Sequence, residues 1–217
     1  MIKKTFVTFI IFGVFYSCSP SNPESTVGTE EYYLEKIKTE DRESMFQLGL
    51  LYEEQGKFKL AEKYYLMASE RSDTNAMNNL GNLYKRQEKF ELAERLFLMA
   101  IKYDNKLALY NLGLLYEEQG NLKLSEKYYL MSIEYNNTES MNNIGVLYSE
   151  QGKFKLAEKY YLMAIENNDY DAMNNLGVLY YEQGKFELAE KYAKMAYDNG
   201  VEEAKNLLDE IMMEQKK

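Results

Sequence analysis

The chain has 217 residues, a net charge of −9, 21 tyrosines, no tryptophan and no histidine. That length is enough for one ordinary domain with a sizeable core. The missing histidine removes the commonest general base and neutral metal ligand, and with it any Ser-His-Asp or Cys-His arrangement. An acidic balance argues against nucleic acid as a partner, because phosphate binding needs a basic surface.

The first segment, residues 1–17, reads MIKKTFVTFIIFGVFYS. Lys3 and Lys4 precede an apolar run from Phe6 to Tyr16 that is too short to span a bilayer comfortably. This is the pattern of a signal peptide. Cys18, the only cysteine, follows directly. The run Phe15-Tyr16-Ser17-Cys18 resembles a bacterial lipoprotein box, with Phe15 where Leu is usual. The resemblance implies that Cys18 becomes the first mature residue and carries the lipid. It also implies a lipid-anchored protein of the bacterial cell envelope that meets the membrane through that anchor only. Ser19 favours the outer membrane by the same analogy. A single cysteine cannot form an internal disulfide. Residues 18–29 are polar, carry both prolines (Pro20 and Pro23) and read as a flexible tether.

From residue 24 onward no proline interrupts a helix. Glu31-Tyr32-Tyr33-Leu34 anticipates Lys63-Tyr64-Tyr65-Leu66 by 32 residues, so residues 30–41 read as an N-terminal half-unit helix. A 32-residue period then runs without insertion through Gly49, Gly81, Gly113, Gly145 and Gly177. Tyr52, Tyr84, Tyr116, Tyr148 and Tyr180 keep the same step. Five units follow: 42–73, 74–105, 106–137, 138–169 and 170–201. Residues 55–68 recur unchanged at 151–164, the mark of internal duplication.

Each unit reads as two helices. Met45, Leu48, Gly49 and Tyr52 share one face of the first. Gln55-Gly56-Lys57 is the break. A second helix runs from about Phe58 to Glu70, with Phe58, Ala61, Tyr65 and Ala68 facing inwards. Asn/Asp-rich stretches such as Asn136-Asn137 and Asn167-Asn168-Asp169 suit helix ends and N-caps. The recurrent first-helix glycine costs about 1 kcal/mol relative to Ala. It is expected to admit close approach of the second helix. Gly56, Gly120, Gly152 and Gly184 are expected to end the first helices in the left-handed conformation. Glu88 stands there in the second unit and predicts a strained or looser turn. Residues 202–217 align with another first helix, with Lys205 and Asp209 in place of the Met and Gly, as a polar cap requires.

Ala172-Met173-Asn174-Asn175-Leu176-Gly177, followed by Tyr180, Gly184, Phe186, Ala189 and Ala196, resembles the tetratricopeptide repeat over roughly residues 42–201. The unit is two residues shorter than the family's usual length and lacks its closing proline. Its short link resembles that of the Sel-like relatives. The resemblance implies an all-α, right-handed α-solenoid of helix-turn-helix units that binds a protein or peptide in a concave groove lined by the first helices. No cofactor or metal is implied.

The corresponding groove positions include Asn78, Asn82, Lys85, Tyr110, Asn142, Asn174 and Tyr181, with Arg86 beside them. Phe46, Leu50, Glu53, Leu114, Glu117, Val146, Ser149 and Val178 complete the set. The two-carboxylate clamp of chaperone-binding members is matched only at Asn82 and is not inferred. Where other units carry glutamates, the second has Lys85-Arg86, with Lys89 and Arg95 near. This basic spot fits either a partner carboxylate or salt bridges to neighbouring glutamates. Tyr64, Tyr128 and Tyr160 are expected to be partly exposed, packing between helices rather than stacking on a ligand. Met67, Met99, Met131 and Met163 read as core. No phosphate loop, metal cluster or nucleophile pair appears, so a non-catalytic scaffold is expected. The alternative is a module for cell-wall or surface polymer. A secreted Sel-like hydrolase is a third option, against which stands the lack of that group's cysteine pairs.

Overall fold

The computed structural model describes residues 28–214. The signal segment 1–17, Cys18 and the tether up to residue 27 lie outside the described residues. Twelve α-helices and no strand appear among the described residues: α1 (Glu30–Ile37), α2 (Arg42–Glu54), α3 (Phe58–Ser69), α4 (Thr74–Arg86), α5 (Phe90–Lys102), α6 (Leu107–Glu118), α7 (Leu122–Ile133), α8 (Thr138–Glu150), α9 (Phe154–Glu166), α10 (Tyr170–Glu182), α11 (Phe186–Asp198) and α12 (Ala204–Glu214). Each helix packs on the next in the chain. The result is a solenoid of five helix pairs, with the lone helix α1 before them and the cap α12 after.

Small and large residues interlock within each pair. The rings of Tyr65, Phe97, Tyr129 and Tyr161 lie where β-carbons on Gly49, Gly81, Gly113 and Gly145 would stand, so the glycine of the first helix seats the aromatic of the second. Those rings are buried, as are Ala61, Ala93, Ala157 and Ala189. Removing such a ring costs about 3–5 kcal/mol. Unit five departs from the pattern: Ala193 replaces the aromatic, and Leu207 of α12 approaches Gly177 instead. Phe58 does not face inwards as the periodicity predicted. It opens its helix at the surface, 47% exposed, because one helical turn ahead of Ala61 the partner helix has already ended.

Two kinds of turn alternate, and both use a left-handed residue. Within units, Gly56 N donates to Glu53 O (2.9 Å) and Lys57 N to Tyr52 O (2.8 Å). Glu88 takes the same left-handed conformation (φ 58°). Its bonds are equivalent, Glu88 N to Lys85 O and Lys89 N to Tyr84 O, both 2.9 Å. The second unit's turn is therefore strained but no looser than the others. Between units, Glu40, Ser72, Asp104, Asn136 and Asn168 are left-handed as well, and Gly200 closes the series. The next residue caps the following helix: Asp73 accepts from Ala76 N (2.8 Å), Asn137 from Ser140 N (2.7 Å) and Asp169 from Ala172 N (2.9 Å).

One contact stitches each unit to the one before. Tyr52, Tyr84, Tyr116, Tyr148 and Tyr180 donate their hydroxyls to Glu30, Glu62, Glu94, Glu126 and Glu158, each 22 residues earlier, at 2.6–3.0 Å. Burial and the carboxylate together push Tyr52 and Tyr84 up to about 12 and raise Tyr116, Tyr148 and Tyr180 further. All of these rings but Tyr84, which has Leu96 at the matching position, pair with a second tyrosine: Tyr64, Tyr128, Tyr160 and Tyr192, at centroid distances of 5.5–5.7 Å. Tyr64 is thus buried (8% exposed) rather than partly open, while Tyr128 and Tyr160 are half-buried.

Candidate partner-binding groove

First helices of adjacent units also touch one another, α2 with α4, α4 with α6 and α8 with α10, while second helices make no comparable contact. The first helices therefore line the inner, concave side. Their approach is marked by hydrogen bonds between residues 33 apart. Asn111 Nδ2 donates to Asn78 Oδ1 (2.8 Å), Asn175 Nδ2 to Asn142 Oδ1 (3.0 Å) and Asn143 Nδ2 to the Tyr110 hydroxyl at 3.5 Å. Asn78 is buried, and Tyr110 and Asn142 are half-buried. Three sequence-predicted groove residues are thus held by donors that sequence reasoning passed over: Asn111, Asn143 and Asn175. The signal was there, since these residues repeat with the same period one position later.

The fifth unit lacks this partner. Asn174 Oδ1 is buried with no hydrogen bond, because the position 33 residues on is Leu207 in the cap. Beside it on α10 sit Val178, 36% exposed, and Tyr181, whose ring meets Phe186 edge-on at 5.7 Å. Asn82 lines a depression of about 470 Å³ with Leu50, Glu53, Asn79, Lys85 and Arg86.

The cations of the second unit reach both neighbours. Lys85 Nζ lies 2.9 Å from Glu118 in unit three, and Arg86 pairs with Glu53 in unit one. Glu53 also accepts from Tyr65 (2.6 Å), and its counterpart Glu117 accepts from Tyr129. Burial foremost, then the carboxylate, raises both phenols strongly. Where Lys85 replaces this glutamate, the aromatic loses its hydroxyl and becomes Phe97. The two changes belong together, since an ammonium cannot accept a buried phenol's hydrogen. Lys89 instead sits over the Tyr84 ring at 5.1 Å.

Among the described residues no group of three metal-ligating side chains is present. An acidic depression of about 500 Å³ between Glu139, Asp169, Asp171 and Glu203 opens at the inter-unit turns. Burial raises the Asp169 carboxyl there. Cys18, the one candidate for modification, lies outside the described residues.

The fold is widely shared. A solved structure of c5321, a protective antigen of uropathogenic Escherichia coli strains displaying an SLR fold, superposes with a TM-score of 0.71 at 20% identity over 86% of this chain. This chain spans only 44% of that protein's length. A Sel1 repeat protein from Oxalobacter formigenes gives 0.64 at 22% identity, covering 83% of this chain and 84% of its own. YrrB, described as a TPR protein with an unusual peptide-binding site, gives 0.61 at 22% identity, covering 85% and 98%. No curated protein matches the chain significantly. Profiles of the Tetratricopeptide repeat match residues 43–73, 78–137 and 142–203. Proteins of this repeat class generally serve as interaction scaffolds and are typically non-catalytic. With its pattern of paired helices and short Sel-like links, the chain belongs to the tetratricopeptide repeat family.

Proposed function

We propose that the chain is a non-catalytic scaffold of the bacterial cell envelope, anchored through Cys18, that holds a peptide or protein segment along the concave face of its first helices. The observation that carries this reading is Asn174. Its equivalents Asn78 and Asn142 accept hydrogen bonds from the next unit, whereas its buried oxygen lacks a donor. An extended peptide supplies backbone N–H groups suited to that acceptor. Val178 and Tyr181 alongside offer apolar area for a side chain. The chain's likeness to YrrB, described as having a peptide-binding site, supports a peptide as the kind of ligand.

The test is a photo-crosslinker at Val178 or Leu114 in the groove, compared with one at Leu66 on the outside, in envelope extract. A single protein crosslinked from the groove positions alone, and lost with Asn174→Leu, supports the reading. Equal crosslinking from Leu66, or sedimentation with purified peptidoglycan in place of protein capture, overturns it in favour of polymer binding. Palmitate-analogue labelling abolished by Cys18→Ser tests the anchor separately.

A further inference from the structure

Charge is sorted in this protein. The first helices of units one, three, four and five carry an excess of carboxylates, among them Glu53, Glu54, Glu117, Glu118, Glu150 and Glu182, against one cation, Arg42. The second helices and the residues just before them carry most of the lysines. At the start of the second helix this becomes a patch, in unit one and again in the duplicated run of unit four, where Phe154 and Leu156 are 42% and 40% exposed; the copy in unit one is the one nearer the tether. Lys57 and Lys59 line it with Phe58 and Leu60, which are 47% and 38% exposed, Lys63 follows one helical turn on, and the Arg86 guanidinium lies 5.7 Å from the Phe58 ring centre. Lys89 of unit two borders the same shallow depression of about 580 Å³.

The lysines there are placed rather than loose. Lys57 Nζ lies 5.5 Å from the Tyr52 ring centre and Lys63 Nζ 5.0 Å from that of Tyr64. Those two rings are stacked on each other, so the cations flank a rigid pair. Among the described residues, none of the ion pairs uses a lysine of this patch. The nearest carboxylate on the helix, Glu62, is taken by the Tyr84 hydroxyl at 3.0 Å.

Exposed aromatic and leucine side chains set among unpaired lysines match an anionic lipid surface: the apolar groups enter the headgroup region and the ammoniums meet phosphates. We propose that this edge of unit one, centred on Phe58 and Leu60, rests on an anionic bilayer and sets the orientation of the solenoid on it. Unit one lies one short helix from the tether that begins at Cys18. The inference takes its setting from the envelope location proposed above, but the test reads this edge alone.

The chain has no tryptophan, so Phe58→Trp introduces a single reporter. With phosphatidylglycerol vesicles its emission is expected to shift to the blue and to be quenched by brominated acyl chains. A reporter in the groove, Val178→Trp, stays unchanged. Lys57→Glu, Lys59→Glu and Lys63→Glu added to Phe58→Trp abolish the response while circular dichroism shows the helices intact. An unresponsive reporter at 58, or an equal response on phosphatidylcholine, overturns the proposal. So does a shift that appears without vesicles and grows with protein concentration, which assigns the patch to a second copy. Co-sedimentation with vesicles while the reporter at 58 stays silent leaves the envelope reading standing and removes this one. A response at 58 in a chain that takes no lipid label does the reverse.

Discussion

The Tyr129 ring fills the space that a side chain on Gly113 would need: a β-carbon there would lie 2.6 Å from two of its ring atoms. The same relationship holds at Gly145 with Tyr161. Gly113→Ala is expected to cost about 1–3 kcal/mol of stability by overpacking. Gly177→Ala is the comparison. No ring covers it, and its tightest neighbours stand at 3.1–3.3 Å. There the gain of about 1 kcal/mol in helix propensity offsets most of the crowding. Urea unfolding midpoints of the two variants check the contrast; equal losses would defeat it.

Glu88→Gly is expected to stabilise the protein. Holding a side chain in the left-handed region costs about 1–2 kcal/mol, while glycine's extra freedom when unfolded takes back about 0.5–1 kcal/mol. The turn already makes the same hydrogen bonds as its glycine counterparts, so no other term changes. Thermal unfolding should move upward by a few degrees; an unchanged midpoint would count against the strain.

Charge reversal of Lys85 and Arg86 to Glu separates stability from binding. Both cations bridge to adjacent units, and the reversed charges face Glu118 and Glu53. A loss of about 1 kcal/mol is expected, discounted for partial exposure, and it should shrink at high salt. Unchanged partner capture would leave the pair a structural role. Lost capture at undiminished stability would give it to the ligand instead.

Alkaline pH should unfold the array. The Tyr52 and Tyr84 phenols are pushed up to about 12 in the folded chain, against the 10.0 of an ordinary tyrosine. Burial is the main cause, with the glutamate acceptors next. A raised phenol favours the protonated folded form, so its contribution is complete below pH 10.0 and is lost as pH climbs towards 12. Stability should hold level to about pH 9 and then fall. Tyr52→Phe with Tyr84→Phe should make the fall shallower without removing it, since Tyr116, Tyr148 and Tyr180 are raised as well, read from denaturant midpoints across the pH series.

The period, the glycine seats and the irregular turn at Glu88 were legible because each depends on one residue type recurring at one step. Contacts between units were harder to read. Tyr84 and Glu62 both keep the 32-residue step, yet their pairing depends on how one helix pair tilts on the next. Asn111 with Asn78 hid in the same way. Phe58 misled because helical periodicity assigns a face but does not say where the partner helix stops. Ser72 and Asp104 gave no sign of a left-handed link, since neither is the glycine that usually marks one. Of the four asparagines expected in the groove, Asn78 and Asn142 are occupied by their neighbours, which no single-unit pattern reveals.

The run of Tyr-to-Glu bonds also acts as a length counter. Every joint between units is built from the same hydroxyl and carboxylate, beginning with Glu30, so a copied 32-residue block fits between any two units without a new interface having to arise. The duplicated run at 55–68 and 151–164 is what such copying leaves behind. At α12 the tyrosine position is Met212, which has no hydroxyl to give. Copying within the middle of the array therefore reuses a joint that the Met212 position does not offer.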